Sequence, residues 1–125
     1  MMRGVGLGIV EIRRMQRICE RRPKSLCLWF RPEEMEGSTP GSQRKASSLA
    51  GRYACKIAVR SALNDRNIRS SLRSIVVSND PLGRPLVRVL DLASEIPLWV
   101  SITHSREWAA AVAVVDAMGD SGEIN

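Results

Sequence analysis

The feature that most constrains the fold is a long helical pattern in the middle of the chain. After a Gly/Ser/Pro-rich segment at residues 36–42, the stretch "QRKASSLAGRYACKIAVRSAL" spaces its apolar side chains at helical intervals. These apolar positions are Ala46, Leu49, Ala50, Tyr53, Ala54 and Ile57. Ser42 is the predicted N-cap. Gly51 is about 1 kcal/mol less favourable than alanine inside a helix, so we expect a close packing contact or a ligand beside it. The sequence predicts a helix over residues 43–63.

Shorter elements surround this helix. The Gly-interrupted run "RGVGLGIV" predicts a buried strand, and "EIRRMQRICERR" predicts an amphipathic helix that ends before Pro23. In the last third, "LRSIVVS" and "PLVRVL" flank the turn-rich "NDPLGRP", and "LWVSITH" and "WAAAVAVV" flank a short polar break. The run "AAAVAVV" also fits a helix by periodicity alone, but its valine content favours a strand.

Size and composition limit the class of protein. The 125 residues make one compact domain, which we place at residues 1–117, with a flexible C-terminal tail at 118–125. Because 44% of the residues are hydrophobic and only 4% aromatic, the core must be aliphatic and base stacking is disfavoured. The net charge of +6 favours an anionic partner: a phosphate-rich cofactor, a nucleic acid or an acidic protein.

The cysteines and the apolar runs indicate a compartment. Cys19, Cys27 and Cys55 are odd in number and lack C-x-x-C spacing, which argues against both a zinc cage and a disulfide framework. The N-terminal run is too short and too Gly-rich for a signal peptide, and no stretch approaches the roughly 18 apolar residues of a membrane span. We therefore expect a cytoplasmic protein with no membrane partner.

Two groups of basic residues stand at helical spacing. One group on the first predicted helix shares a face: Arg14, Arg17 and Arg21. The other recurs every four residues on the long helix: Arg52, Lys56 and Arg60. Each group, taken alone, also fits an ordinary solvated face. The spacing by itself does not choose between a binding surface and a solvated one.

His104 is the only histidine, and it ends the predicted strand "LWVSITH". Strict alternation places it on the same strand face as Leu98, Val100 and Ile102, which favours a buried histidine with satisfied hydrogen bonds. Its position where the chain turns, between two hydroxyl residues, instead favours contact with a ligand, because imidazole can donate to phosphate or accept a proton near neutral pH.

Four ordered segments carry a family resemblance: "GVGLGIVEI", "AGRYACKIAV", "NDPLGRP" and "VSITHSREWAAAVAVV". Together they resemble the holo-acyl-carrier-protein synthase group of 4'-phosphopantetheinyl transferases across nearly the whole chain. The resemblance implies an α+β fold with an antiparallel sheet packed against a long helix, and a homotrimer with active sites between subunits. It also implies transfer of phosphopantetheine from coenzyme A to a serine of an acyl carrier protein.

The resemblance assigns site residues by position. The implied coenzyme A-binding residues are Arg52, Lys56, Gly83, Arg84, Pro85, Ser101, Thr103 and His104. Of these, Lys56 and His104 are also the implied catalytic residues. The implied carrier-protein-binding residues are Arg13, Arg14, Arg17 and Arg21. Nucleic acid fits the charge, but no recognition motif or stacking platform supports it as a partner.

The chain departs from the family pattern at the metal. The family carries an aspartate where this chain has Gly8 and a glutamate where it has Ile57, and magnesium prefers such carboxylate oxygens. No residue is therefore predicted as a metal ligand, and magnesium is in doubt as a cofactor. Glu11, Glu33 or Glu34 is the alternative source of an oxygen. We expect Ile57 to line a pocket, and we expect carboxylates restored at both positions to restore metal dependence.

Two hypotheses of function follow. The first is an active phosphopantetheinyl transferase in which arginine and lysine replace the ion or the metal site is altered. The second is a relative that has lost this transfer and acts as a carrier-protein partner, or as a catalyst of another step on carrier-bound or coenzyme A-linked substrates.

Overall fold

The computed structural model describes residues 3–35, 43–92 and 96–116, and the structural statements below concern those ranges. The elements in chain order are β1 Gly4–Glu11, α1 Ile12–Arg21, a 3₁₀ helix Pro23–Leu28, α2 Pro32–Met35, α3 Gln43–Asp65, β2 Ile75–Asn79, β3 Pro85–Val89, β4 Leu98–His104 and β5 Trp108–Val115. The predicted strands and both predicted helices are confirmed within a few residues. The loop at 36–42, its Ser42 cap and the tail at 118–125 lie outside the described residues.

The strands form two antiparallel sheets. The larger sheet has the order β1-β5-β4, so the first strand pairs with the last. Gly8 lies opposite Ala111 in β5, and Ala111 lies opposite Ile102 in β4. The run "AAAVAVV" lies within β5, so the preference for a strand there was right. The smaller sheet is the predicted hairpin of β2 and β3 around "NDPLGRP".

Helix α3 lies across one face of the larger sheet, and β1 touches it through glycines. A Cβ added to Gly4, Gly6 or Gly8 would come within 2.0, 1.9 and 2.1 Å of the carbonyl oxygens of Ala62, Ala58 and Ala54, respectively. No real side chain tolerates such distances to backbone atoms. The glycines of "GVGLGIV" therefore let the strand and the helix backbone pack without side chains between them.

The core is built around α3. Within the predicted apolar stripe, Ala46, Leu49, Ala50 and Ala54 are buried, whereas Tyr53 and Ile57 are half-buried. Burial extends around the helix because the sheet covers one side, α1 another and the β2–β3 hairpin a third. The sequence predicted a single buried stripe on α3, whereas the structure buries side chains on several sides of this helix.

The other face of the larger sheet is open. Its outward side chains are largely apolar and exposed: Val5, Leu7, Ile9, Trp99, Trp108 and Val112. Monomeric proteins seldom expose so much contiguous apolar surface. None of the described helices is long and apolar enough to pass through a membrane.

Candidate functional site

A cleft opens between α3, the β2–β3 hairpin and the end of β4. Its volume is about 290 Å³, and its lining is Ser48, Gly51, Arg52, Val77, Asn79, Gly83, Pro85, Ile102 and His104. Four of the residues predicted to bind coenzyme A thus meet here from three separate elements, although the sequence places them far apart. The predicted residues that do not line this cleft are Lys56, Arg84, Ser101 and Thr103.

His104 lies on the helix side of β4, as strand alternation predicts. Its Nε2 is 3.1 Å from the carbonyl oxygen of Ser47, and the side chain is exposed rather than buried. The same Nε2 lies 2.5 Å from where a Cβ of Gly51 would stand. The glycine in the middle of α3 therefore makes room for the imidazole, which explains the predicted close approach at Gly51. The alternative of a buried histidine is wrong.

Arg52 ties the two walls of the cleft together. Its Nη1 donates to the backbone oxygen of Glu34, and its Nη2 donates to Oδ1 of Asn79 at 3.1 Å. Asn79 Nδ2 in turn donates to the carbonyl oxygen of Gly83 at 3.0 Å. The half-buried guanidinium is held at the cleft wall, where its positive charge suits a phosphate.

The hairpin turn is organised by Asp80. Its Oδ1 accepts hydrogen bonds from the backbone N–H groups of Leu82 and Arg84 at 2.9 and 2.8 Å, and its Oδ2 accepts from Arg84 Nε at 2.8 Å. The backbone hydrogen bond from Arg84 is the main cause that lowers the pKa of Asp80. Gly83 has φ of +86°, a conformation that favours glycine. Arg84 thus turns toward Asp80 and away from the cleft lining.

Lys56 lies inside the protein. Its side chain is 0% exposed, and Nζ donates to Glu34 at 2.9 Å, to the carbonyl oxygen of Leu72 at 3.0 Å and to that of Ile75. Burial lowers the pKa of Lys56, although the hydrogen bond to Glu34 acts against that shift. All three ammonium protons are used within the protein. The arrangement does not offer Lys56 to a ligand, and its predicted contact with cofactor phosphate stays a prediction that requires this pair to open.

Glu34, which the sequence suggested only as an alternative metal oxygen, is the buried partner of Lys56. It is 1% exposed, and its carboxylate accepts from the N–H of Arg31 at 2.8 Å and from that of Val77 at 2.9 Å as well as from Lys56. The sequence feature that could have predicted this pair is a lysine between apolar neighbours in α3. A lysine that is buried there needs a buried anion as its partner.

Ser101 and Thr103 lie on the opposite face of the sheet from His104. They are exposed beside the open apolar face, where Thr103 pairs with Ala110 and Ser101 with Val112 in β5. This follows from the alternation of side chains along a strand. Within one chain the structure does not bring them to the cleft, so their predicted contact with coenzyme A stays a prediction.

The two positions that carry carboxylates in the family offer no oxygen. Gly8 has no side chain, and the carbonyl oxygen of Ala54 occupies the space that one would need. Ile57 lines an apolar cavity of about 390 Å³. The other lining residues of this cavity are Ile9, Val10, Glu11, Arg14, Met15, Ile18, Trp29, Tyr53 and Trp108. Ile57 thus lines a cavity, as predicted, but this cavity is not the cleft that contains Arg52 and His104, so the expectation of a position near phosphate stays a prediction.

The alternative oxygens do not assemble a site either. Both carboxylate oxygens of Glu34 accept hydrogen bonds inside the protein, and Glu33 is exposed on α2. Oε1 of Glu11 lies 3.9 Å from Nη2 of Arg17. Across residues 3–35, 43–92 and 96–116, no three His, Cys, Asp or Glu side chains converge as metal ligands. The described residues therefore place no carboxylate at the two family positions.

The arginines of α1 divide between two surfaces. Arg14, Arg17 and Arg21 line a groove of about 770 Å³ with Arg22 and Trp29. Arg13 instead lines a polar cavity of about 420 Å³ on the other side of Glu11, together with Gln16, Arg106 and Glu107. The predicted basic face is thus present for three of the four arginines, and Arg13 lies beside it.

Comparison with known proteins gives a consistent set of relatives. The chain is 36% identical over 119 residues to a holo-acyl-carrier-protein synthase of Moorella thermoacetica, covering 90% of this chain and 92% of that protein. It is 34% identical over 121 residues to the synthase of Staphylococcus carnosus, covering 94% and 100%. No protein-family model matches the chain.

Solved structures agree with the fold. The holo-acyl-carrier-protein synthase of Helicobacter pylori in complex with coenzyme A superposes with a TM-score of 0.70 at 30% identity, covering 90% of this chain and 99% of that one. The complex of the Chronobacterium ammoniagenes synthase with CoA gives a TM-score of 0.79 at 21% identity, covering 94% and 99%, which supports the fold. With curated relatives above 30% identity along nearly its whole length, the chain belongs to the holo-acyl-carrier-protein synthase family.

Proposed function

We propose that this protein binds coenzyme A in the cleft beside Arg52 and His104 and transfers the 4'-phosphopantetheine arm to a serine of an acyl carrier protein. The observation that carries the proposal is the convergence of Arg52, Gly83, Pro85 and His104 from three elements on one cleft. Relatives named holo-acyl-carrier-protein synthase and a neighbour solved with coenzyme A support it.

The reaction makes clear demands on this cleft. The serine oxygen attacks the phosphorus that bears pantetheine, the bond from that phosphorus to the bridging oxygen breaks, and 3',5'-ADP leaves while the serine proton is released. Arg52 supplies positive charge for the phosphates. His104 brings an imidazole, the type of side chain that takes up and releases protons near neutral pH. We assign His104 as the group that takes up the proton released from the serine.

We assign the carrier protein to the basic groove on α1. Arg14, Arg17 and Arg21 project from one helix beside Trp29, so an acidic partner meets charge and an apolar surface together. Such a face speeds association and loses strength as salt rises. Arg13 extends the positive charge toward Arg106.

We also propose that the exposed apolar face of the sheet is covered by other copies of the chain in a homotrimer. Leu7 and Ile9 are 67% and 66% exposed on this face, and Trp99 is 57% exposed. Ser101 and Thr103 belong to a coenzyme A site only if that site lies between subunits, since they face away from the cleft of their own chain.

The cysteines are free thiols, which agrees with the cytoplasm as the proposed location.

A second function, carrier-protein or coenzyme A binding without transfer, is favoured by one observation. The carbonyl oxygen of Ala54 stands 2.1 Å from where a Cβ of Gly8 would lie, so the family carboxylate has no room there. A protein that keeps the cleft and the basic groove would still bind both ligands.

One experiment separates the two functions. The protein is incubated with an apo acyl carrier protein and coenzyme A, with magnesium and separately with EDTA, and the intact mass of the carrier is measured. Gain of one phosphopantetheine on the carrier supports transfer. An unchanged carrier mass, combined with coenzyme A binding in calorimetry, supports the binding function instead.

A further inference from the structure

Glu34 and Lys56 form a buried pair that lies one layer behind the cleft. They come from α2 and α3, their side chains are 0% exposed, and Nζ of Lys56 is 2.9 Å from the Glu34 carboxylate. Neither side chain lines the cleft. A buried pair of charges is weak evidence for a stabilising role, because apolar residues of similar volume often do as well.

The pair binds the open edge of the hairpin. Ile75 and Val77 are two residues apart in β2, so their backbone groups point to the same side of the strand. Lys56 donates to the carbonyl oxygen of Ile75, and Glu34 accepts from the N–H of Val77 at 2.9 Å. Two side chains thus satisfy the edge of β2 as a third strand would. Val77 is itself a cleft-lining residue.

The same elements continue to the cleft. Glu34 also accepts from the N–H of Arg31 at 2.8 Å, which closes the first turn of α2. The backbone oxygen of Glu34 then accepts from Arg52, whose other nitrogen reaches Asn79 in the hairpin. The buried pair and Arg52 thus join α2, α3 and the hairpin in one hydrogen-bond network.

From this network we infer that Glu34 and Lys56 are positioning residues that hold the β2–β3 wall of the coenzyme A cleft at its distance from α3. The inference deepens the proposed function and rests on it. It gives Lys56 a role that needs no contact with the cofactor.

The test replaces the pair by hydrocarbon of similar size in the double variant Glu34→Leu, Lys56→Met. This removes both side-chain bonds to β2 without leaving an unpaired buried charge, and the backbone acceptor of Arg52 remains. Calorimetry with coenzyme A and with 3',5'-ADP measures affinity, and steady-state kinetics separate KM from kcat. We expect affinity for both ligands to fall about tenfold or more, because small misplacements of a site are costly, with KM affected more than kcat.

Two further variants distinguish positioning from stability. Leu63→Ala removes a buried side chain at the far end of α3 and should lower the thermal midpoint while leaving coenzyme A affinity unchanged. The double variant Glu34→Gln, Lys56→Met keeps one acceptor oxygen at position 34 and leaves no unpaired buried charge, so it should bind coenzyme A more weakly than wild type and more tightly than Glu34→Leu, Lys56→Met. If Glu34→Leu, Lys56→Met does not fold, the weakened binding of Glu34→Gln, Lys56→Met against that of Leu63→Ala decides the matter.

The possible failures are distinct. Wild-type protein that binds neither coenzyme A nor 3',5'-ADP overturns the proposed function and this inference with it. Wild-type protein that binds, together with pair variants of equal affinity, overturns the positioning role alone. Affinities that merely follow the thermal midpoints, with Leu63→Ala as weak a binder as the pair variants, also overturn it.

Discussion

Two neighbouring sides of α3 have opposite chemistry. Toward the hairpin, Arg52 and Lys56 enter a continuous hydrogen-bond network that leads to the cleft. Toward α1, the next residue after each of these, Tyr53 and Ile57, lines an apolar cavity. The first side keeps Arg52, which the family resemblance assigns to coenzyme A, whereas the second has hydrocarbon at Ile57, where the resemblance implies a carboxylate. The proposed cofactor binding can therefore be tested separately from metal binding.

The largest effect should come from Gly8→Asp. A side chain at this position collides with the carbonyl oxygen of Ala54, so strand and helix must separate, at a cost of about 3 kcal/mol. Urea denaturation at one protein concentration measures the loss. This revises the expectation that carboxylates at both family positions would restore metal dependence. A Gly8→Asp protein of normal stability that gains stimulation by magnesium would show that the strand contact adapts.

Arg52→Ala should weaken coenzyme A binding by roughly tenfold to a hundredfold. The guanidinium is the charged group of the cleft lining, and a hydrogen bond to a charged group is worth about 1.5–3 kcal/mol. Arg60→Ala is the matched control, because Arg60 is exposed on the same helix and does not line the cleft. Equal losses in the two variants would point to general electrostatic attraction rather than to this cleft.

A smaller effect is expected of Ile57→Glu. Ile57 is half-buried and borders a cavity that also contains Arg14, so the new carboxylate can reach water or a guanidinium. We expect the free energy of unfolding to fall by about 1 kcal/mol, well below the cost of burying an unpaired charge. A loss as large as that of Gly8→Asp would place Ile57 in the closed core and remove the contrast between the two sides.

The smallest effect concerns pH and Asp80. Because the folded state lowers the pKa of this carboxyl, its stabilising contribution is present above the ordinary value of 3.8 and is lost as pH falls through the folded pKa. Unfolding free energies below pH 4, compared between wild type and Asp80→Asn, measure this contribution. The difference in unfolding free energy between wild type and Asp80→Asn should become smaller as the pH falls. An advantage that stays constant across this range would show that the hairpin turn does not depend on the charge.

Local patterns predicted the elements and part of the site. Periodicity found α3 and the strands, and the glycine in mid-helix correctly indicated a close contact at Gly51, which proved to be His104. The Glu34–Lys56 pair was missed because its members lie 22 residues apart and meet only when α2 folds onto α3. The contact between Gly8 and Ala54 was missed for the same reason. Strand alternation was sufficient to separate Ser101 and Thr103 from His104, but the resemblance grouped all three.

The most direct measurement is a calorimetric titration of coenzyme A into the wild-type protein at low salt, first with EDTA and then with magnesium. If the cleft beside Arg52 and His104 binds the cofactor through protein groups alone, the affinity is the same in both conditions and falls as salt rises. Binding that is absent with EDTA and restored by magnesium would contradict the separation of cofactor and metal binding, and would mean that oxygens outside the residues described here hold the ion.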